Sequence, residues 1–202
     1  MGGDVYDFLV LEDGRLAVVL GDVTGHGIDA TADMAMAKFV FRSLAREHPE
    51  PAEFLAAANE VVVGEVAQSK FVSMLYVTVD PANGAVACAS AGHPWPRIVD
   101  STGAVRALRA GGMVLGVDSN QAYDEIRETM PVGAALVLYT DGVVEARRGS
   151  ELYGDDRLDA AVASRAMLPA EELAEAIVAD CRDFAGGGLT DDCAVVVIRR
   201  TG

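Results

Sequence analysis

Aspartate recurs at the ends of apolar runs in this chain, and that recurrence restricts the possible folds more than any other feature of the sequence. The runs cover residues 5–11, 16–20, 134–140 and 193–198, and the acids beside them are Asp4, Asp22, Asp141, Asp191 and Asp192. An acid at the end of a buried strand is held in place by the sheet, yet it projects from the rim where a ligand can reach it. A single aspartate of this kind is usually a turn or cap residue, so the repetition carries the argument.

Carboxylates gathered at one edge of a sheet indicate a metal site. They repel one another and are costly to desolvate, so a fold keeps such a cluster only when cations neutralise it. Oxygen ligands suit hard divalent ions such as magnesium or manganese, and neither cysteine nor histidine occurs at a zinc-like spacing. Two ions about 3.5 to 4 Å apart would lower the pKa of a water between them and direct it at a phosphoryl group.

The first two apolar runs predict a hairpin that brings two of these acids together. A tight turn at residues 12–15 separates the runs, and the antiparallel return places Asp4 and Asp22 at the same end. The glycine-rich motif at residues 21–27 then leads into a helical pattern over residues 28–47. Because helix N-termini attract anions, this end of the helix could bind phosphate oxygens or orient Asp22.

Further patterns predict more strands and the helices that cover them. Asn83-Gly84 predicts a second hairpin, and residues 125–130 and 134–139 are expected to pair around the turn at 131–133. The remaining elements are strands at 71–79, 85–91, 97–99, 104–108 and 193–198, the last of them expected to be buried, helices at 52–68 and 169–184, and one short helix within 152–166. Two antiparallel sheets with helix pairs on their outer faces make an α+β fold, a four-layer α/β/β/α sandwich in a single domain over residues 1–202.

Charge and hydropathy argue against several classes of partner. A formal net charge of −15 is the opposite of the basic patch that a nucleic-acid-binding protein normally shows. No signal peptide precedes Gly2, and no apolar run approaches the roughly 20 residues of a membrane span, so we expect a cytoplasmic protein without membrane contact. The three cysteines, Cys88, Cys181 and Cys193, stand in apolar patterns and are expected to be buried thiols in a reducing compartment.

Two further polar residues have alternative interpretations. His93, in the proline-rich loop at residues 91–96, can be catalytic or a structural hydrogen-bonding residue. We favour the structural role, because no acid or nucleophile neighbours His93 in the sequence. Glu145 follows the aspartate at position 141 closely enough to support a metal ligand, or it is plain helix surface.

Six short motifs follow one another along the chain. They are Gly-Gly-Asp-Val-Tyr-Asp-Phe at 2–8, Gly-Asp-Val-Thr-Gly-His-Gly at 21–27, Ala-Gly-His-Pro at 91–94, Leu-Gly at 115–116, Tyr-Thr-Asp-Gly-Val-Val-Glu-Ala at 139–146 and Asp-Asp at 191–192. In this order they resemble the metal-dependent PPM serine/threonine phosphatases of the SpoIIE/RsbU branch. The resemblance covers nearly the whole chain and implies the same α/β/β/α sandwich with a binuclear manganese or magnesium centre.

The resemblance also implies a role for each acid. Asp22 would bridge both metals, and Asp4 would serve the site from the first strand. Asp141 and Asp191 would hold one metal from the other side, and the carbonyl of Val23 would complete the shell of the second metal. A metal-bridging hydroxide would then attack phosphorus in line, without a covalent phosphoenzyme.

The substrate implied by the resemblance is phosphoserine or phosphothreonine on a STAS-domain anti-anti-sigma factor, within sigma-factor and stress-response signalling. His26 is a candidate general acid, although the wider superfamily carries its histidine two residues after the bridging acid, where Thr24 stands here. The family usually has a further strand before the Gly-Gly-Asp motif. The chain is therefore expected to be a fragment of a longer regulator that carries sensor or kinase domains.

Two other functions share parts of this pattern. A pseudophosphatase would bind its partner without turning it over, but the complete set of acids argues for activity. A two-metal phosphodiesterase or nuclease would use the same ions, but it would need cationic residues for a polyanion, and the negative net charge argues against it.

Overall fold

The computed structural model of this chain describes residues 3–23, 41–65, 71–189 and 191–202. Contacts divide the chain into two compact units. Unit 1 is Met1–Trp95 with Arg109–Thr129, and unit 2 is Pro96–Leu108 with Met130–Gly202.

The secondary structure alternates hairpins with helices. The strands are β1 (Asp4–Val10), β2 (Leu16–Val23), β3 (Val72–Val79), β4 (Ala85–Ala91), β5 (Arg97–Val99), β6 (Val105–Ala107), β7 (Glu125–Thr129), β8 (Ala135–Tyr139), β9 (Arg147–Arg148), β10 (Glu151–Leu152) and β11 (Val195–Arg199). The helices are α1 (helical residues 41–47), α2 (Pro51–Glu65), α3 (Asp141–Val144), α4 (Gly154–Ser164) and α5 (Ala170–Phe184). Of the helix predicted over residues 28–47, the part before residue 41 lies outside the described ranges.

Unit 1 is built on a five-stranded antiparallel sheet in the order β1-β2-β3-β4-β7. The first two predicted hairpins, β1–β2 and β3–β4, are confirmed. In the first, Gly14 takes a positive φ of 86° and the amide of Leu11 donates to the carbonyl of Arg15. In the second, Gly84 has a φ of 76°, which glycine adopts without steric cost.

Helices α1 and α2 share a hydrophobic core with this sheet. Pro51 begins α2, a position where its missing N–H costs nothing. The rings of Phe54 and Tyr76 stack with centroids 3.9 Å apart, and Phe41 meets Phe54 edge-on at 5.6 Å. Aromatic packing between helix and strand therefore fixes α1 and α2 on one face of the sheet.

Unit 2 is built on a four-stranded sheet in the order β11-β8-β5-β6. The fully buried apolar residues Leu158 of α4 and Leu173 and Ile177 of α5 share a core with Val137 and Tyr139 of β8. Arg97 of β5 is also buried, and its guanidinium donates to Asp159 at 2.7 Å and to Asp155 at 2.6 Å on α4. Apolar packing and this pair of salt bridges hold α4 and α5 on the sheet.

The expected pairing of the strands on either side of residues 131–133 is wrong. β7 pairs with β4 in unit 1, whereas β8 pairs with β5 and β11 in unit 2. The turn itself forms, because Ala134 donates its amide to the carbonyl of Pro131 at 3.0 Å. Backbone hydrogen bonds at the end of the turn go to the C-terminal segment. The amide of Gly133 donates to the carbonyl of Arg200 at 2.8 Å, and the amide of Arg200 donates to the carbonyl of Ala134 at 3.0 Å.

Two further details differ from the sequence-based expectation. Strand β11 was expected to be buried, but all five of its residues are half-buried, because it lies at the edge of its sheet, with β8 as its one neighbour among the described strands. The two-residue strands β9 and β10, which were not predicted, form a small hairpin before α4, whereas α4 itself lies within residues 152–166, as predicted.

The predicted α+β class, with antiparallel sheets flanked by helices, is confirmed. The extent of a single phosphatase domain over residues 1–202 stays a prediction. Among the helices in the described ranges, none combines the length and the hydrophobicity that crossing a bilayer requires.

Candidate metal centre

In unit 1, the register of the first hairpin brings together two of the predicted ligands. Asp4 of β1 lies directly opposite Asp22 of β2, and both residues are half-buried. Opposite residues of an antiparallel pair have Cβ atoms about 4.5–5.5 Å apart and point to the same face. Like charges in this position destabilise a sheet, and a cation bound between the two carboxylates would offset that cost.

A glycine beside Asp22 allows β3 to approach closely. A Cβ at Gly21 would lie 2.8 Å from the carbonyl oxygen of Ser73, so no other residue fits there without displacing β3. Ser73 is the register partner of Asp22 on that strand. The glycine that precedes the acid therefore has a packing role that the sequence pattern alone did not reveal.

The neighbouring His93 is a buried hydrogen-bonding residue. Its Nδ1 lies 2.9 Å from the hydroxyl of Ser73, its amide donates to the hydroxyl oxygen of Ser90 at 3.1 Å, and its carbonyl accepts from that hydroxyl at 2.8 Å. Only 4% of the residue is exposed. These bonds tie the loop after β4 to β3, which agrees with the structural role favoured from the sequence.

In unit 2, the other two predicted ligands lie on segments that meet. Thr140, which precedes Asp141, donates its amide to the carbonyl of Ala194 at 3.0 Å, and its hydroxyl accepts from the amide of Ala194 at 3.0 Å. A Cβ at Gly142 would lie 1.8 Å from the carbonyl oxygen of Asp192. The Asp141 turn and the Asp191-Asp192 segment are therefore packed backbone against backbone.

Thr140 and Gly142 are residues whose importance sequence reasoning missed. Thr140 is fully buried, and its hydroxyl oxygen accepts the amide of Ala194 as a backbone carbonyl would, beyond the end of β8. The available signal was the Thr-Asp-Gly order itself, since a small residue beside an acid marks a close backbone approach. Asp141 begins the short helix α3 and is half-buried, whereas Asp191 is exposed and accepts the amide of Asp192 at 2.9 Å.

The structure therefore places Asp4 opposite Asp22 in unit 1, and in unit 2 it packs the segments that carry the second pair, Asp141 and Asp191, against each other. Val23 is the last residue of β2, opposite Val72, and His26 lies outside the described residues. Within the ranges that the structure describes, no three or more His, Cys, Asp or Glu side chains are grouped closely enough to hold an ion. A site that uses all four acids stays a prediction.

The donors in both pairs are of the kind that hard divalent cations prefer. Each pair offers carboxylate oxygens from short, hydrogen-bonded segments, which is the chemistry of magnesium and manganese sites. Glu145, the other acid of this region, is exposed, its amide donates to the carbonyl of Asp141 at 2.7 Å, and its carboxylate lies 3.8 Å from Arg147. These contacts fit the surface interpretation of Glu145.

Comparison with known proteins gives a family model and several relatives. The model described as stage II sporulation protein E (SpoIIE) matches residues 12–201. Phosphoserine phosphatase RsbU of Bacillus subtilis (strain 168) is 29% identical over 201 residues, which cover 99% of this chain and 60% of RsbU. This chain thus spans less than two thirds of the length of that relative.

Solved structures show the same fold. The RsbU and RsbW domains of a Mycobacterium tuberculosis protein superpose with a TM-score of 0.83 at 28% identity, covering 100% of this chain and 56% of that one. The SiaA-PP2C domain of Pseudomonas aeruginosa superposes with a TM-score of 0.85 at 22% identity, covering 98% of this chain and 80% of that one.

Proposed function

This chain belongs to the SpoIIE family, and from that membership we propose that it is a metal-dependent protein serine/threonine phosphatase. One observation carries the proposal for the site, namely the direct cross-strand opposition of Asp4 and Asp22. A sheet keeps two carboxylates in that position at a cost in stability, which a bound cation would recover. The similarity to RsbU, whose name is that of a phosphoserine phosphatase, supports the reaction type.

The proposed metal ligands are held by two different sets of hydrogen-bonded elements. Asp4 and Asp22 are held opposite each other by a strand register, so the backbone that carries both carboxylates is set before an ion arrives. Asp141 and Asp191 belong to segments tied together through Thr140 and Gly142. When bound, two Mn²⁺ or Mg²⁺ ions supply Lewis acidity that lowers the pKa of coordinated water and neutralises phosphoryl charge.

The remaining proposed roles concern charge and protons. Asp22 would contact both ions, and the carbonyl of Val23 would add an oxygen ligand from the end of β2. His26 is the proposed donor of a proton to the departing serine or threonine oxygen. Because no side-chain nucleophile is required, the reaction would be a direct displacement at phosphorus.

The proposed substrate is a phosphorylated STAS-domain anti-anti-sigma factor, and the proposed setting is cytoplasmic sigma-factor and stress-response signalling. RsbU is a relative over 99% of this chain, and the Mycobacterium tuberculosis structure carries RsbU and RsbW domains in one protein. This chain spans only part of each of these two relatives. We therefore also propose that it is part of a longer protein that carries sensor or kinase domains.

The decisive experiment measures phosphate release from a phosphoserine STAS-domain protein with manganese added and then chelated. We expect release that requires the metal and stops on chelation. Asp141→Asn should abolish release and weaken manganese binding measured by calorimetry, whereas Glu12→Gln, which removes an exposed charge at the opposite end of the first hairpin, should change neither.

Three outcomes would contradict the proposal in different ways. Metal binding without release would indicate a partner-binding pseudophosphatase. Hydrolysis of a phosphodiester but not of the phosphoprotein would indicate the alternative two-metal chemistry. Full metal-dependent release by Asp141→Asn would refute the assignment of the ligands.

A further inference from the structure

Two of the three cysteines lie side by side in unit 2. The Sγ atoms of Cys181, on α5, and Cys193, just before β11, are 3.9 Å apart. Cys181 is fully buried and its thiol also donates to the carbonyl of Val178 at 3.2 Å, whereas Cys193 is half-buried. Cys193 is therefore the more exposed residue of the pair, and Cys181 lies against it from the protein interior.

The separation is short enough to be closed by small rotations. A disulfide has an S–S length of about 2.05 Å, so the sulfur atoms need to approach by about 1.9 Å. The segment between the two cysteines contains Gly186, Gly187 and Gly188, and a Cβ at any of these positions would meet nothing within 4 Å. Because glycine has wide conformational freedom and this stretch is uncrowded, the connection can adjust as the sulfur atoms approach.

The third cysteine differs in its chemistry. Burial, reinforced by the charge of Glu125, raises the pKa of the Cys88 thiol to about 12, so this thiol stays protonated and unreactive. In contrast, the hydrogen bond with Cys193 lowers the pKa of Cys181, although burial opposes the shift. Cys88 therefore serves as an internal control for the reactivity of a buried thiol that has no sulfur contact among those that the structure gives it.

We propose that Cys181 and Cys193 form a reversible disulfide when the protein meets a hydroperoxide. The sulfur of Cys193, the more exposed residue, attacks a peroxide oxygen; the O–O bond breaks, the thiol proton leaves with the displaced oxygen, and a sulfenic acid remains. The sulfur of Cys181 then displaces the hydroxyl group, which leaves as water with the second thiol proton. With hydrogen peroxide, two thiols and one peroxide give one disulfide and two waters, and a dithiol reductant reverses the change.

The bond would act on the proposed metal ligands, and this part of the inference rests on the proposed phosphatase function. Cys193 directly follows Asp191-Asp192, whose backbone is packed against Gly142, and directly precedes Ala194, which bonds to Thr140. Drawing Cys193 toward α5 would shift this segment relative to Asp141. The disulfide therefore weakens metal binding and lowers phosphatase activity.

Mass spectrometry tests the bond without metal or substrate. Reduced protein is treated with hydrogen peroxide, and we expect the loss of two hydrogen atoms and a cross-linked peptide that joins Cys181 to Cys193. Cys88→Ala should keep the cross-link, and both Cys181→Ser and Cys193→Ser should lose it. The inference is overturned if the wild type gives no such cross-link, or gives one that includes Cys88.

The regulatory effect is tested on the same samples. We expect the oxidised wild type to bind Mn²⁺ several-fold more weakly than the reduced protein and to recover fully with dithiothreitol. Cys193→Ser should bind Mn²⁺ equally well before and after peroxide. Equal affinity of the oxidised and reduced wild type would overturn the regulatory effect. A wild type that forms the cross-link but has no phosphatase activity even in its reduced form would contradict the phosphatase proposal instead.

Discussion

Asp4 and Asp22 lie directly opposite each other in the antiparallel register of β1 and β2. A register of this kind is set by the hydrophobic pattern and the turn of the hairpin, so the two carboxylates are brought together by the same residues that build the strands. Because the arrangement opposes two like charges, we expect the stability of the protein to differ between its metal-free and metal-bound forms.

Asp22→Asn should remove the repulsion and the metal site together. We expect the metal-free variant to be as stable as the wild type or more stable, by up to about 1 kcal/mol, because one of two opposed charges is gone. The rise in melting temperature on adding Mn²⁺ should disappear, since an ion stabilises only a form that binds it. Thermal denaturation with and without Mn²⁺ measures both effects, and a variant that kept the full Mn²⁺ shift would contradict the role of Asp22.

Gly142→Ala should damage the second pair of acids. The new methyl group would lie 1.8 Å from the Asp192 carbonyl oxygen, so α3 or the Asp191-Asp192 segment must move. We expect a loss of about 1–3 kcal/mol in the free energy of unfolding, together with weaker Mn²⁺ binding. Gly188→Ala is the matched control, because a Cβ there meets nothing within 4 Å, and an equal loss in both variants would refute the close contact.

His93→Ala should mainly affect stability. The side chain bonds to the Ser73 hydroxyl from a buried position, and its loss should cost about 1–3 kcal/mol in the free energy of unfolding. Phosphate release per folded molecule should stay within a few-fold of the wild type. Urea denaturation and the phosphatase assay measure the two quantities, and His48→Ala on a half-buried residue is the control. A stable but inactive His93→Ala would instead indicate a catalytic role.

Arg97→Ala should destabilise unit 2. Its buried guanidinium makes two charge-assisted hydrogen bonds to α4, so we expect a loss of about 2 kcal/mol in the free energy of unfolding. Arg147→Ala is the comparison, because its pair with Glu145 at 3.8 Å is exposed and contributes at most about 0.5 kcal/mol. Chemical denaturation distinguishes the two, and equal losses would refute the structural role of Arg97.

The turn between β5 and β6 should contribute to acid sensitivity. Hydrogen bonds from the hydroxyl and amide of Thr102, and then from the amide of Ala104, lower the pKa of Asp100. A folded carboxylate with a lowered pKa stabilises the protein above its unfolded pKa of about 3.9, and this stabilisation is lost as the pH falls through the folded pKa.

Asp100→Asn tests this dependence. Its free energy of unfolding should fall less steeply than that of the wild type below about pH 4, because the variant lacks the titrating group. Urea denaturation at a series of pH values from neutral downward gives both curves. Parallel curves would show that Asp100 is not responsible.

Local features of this protein were predictable because they depend on neighbouring residues. Gly14 and Gly84 provide the positive φ values that the two hairpin turns require, so each turn, and with it the register that opposes Asp4 to Asp22, followed from a few consecutive residues. The Thr-Asp-Gly and Asp-Asp motifs likewise identified the second pair of acids, although not the backbone packing at Gly142.

Long-range pairing was the part that sequence reasoning got wrong. The turn at residues 131–133 was recognised, but a turn does not determine which strands pair beyond it. β8 pairs with β5 and β11 because the C-terminal segment supplies backbone partners to Gly133 and Ala134. Likewise, β11 is half-buried because its place at the sheet edge depends on the whole strand order, which its apolar composition does not encode.

The sequence by itself thus determined the first two hairpins, the helices α2, α4 and α5, the identity of the candidate ligands and the family, since each rests on local conformational preference or on short motifs. Only the tertiary structure decided which strands share a sheet, that Gly142 packs against Asp192, and that the sulfur atoms of Cys181 and Cys193 lie 3.9 Å apart. The physical reason is that these contacts join residues far apart in the chain, and their geometry is set by packing of whole elements.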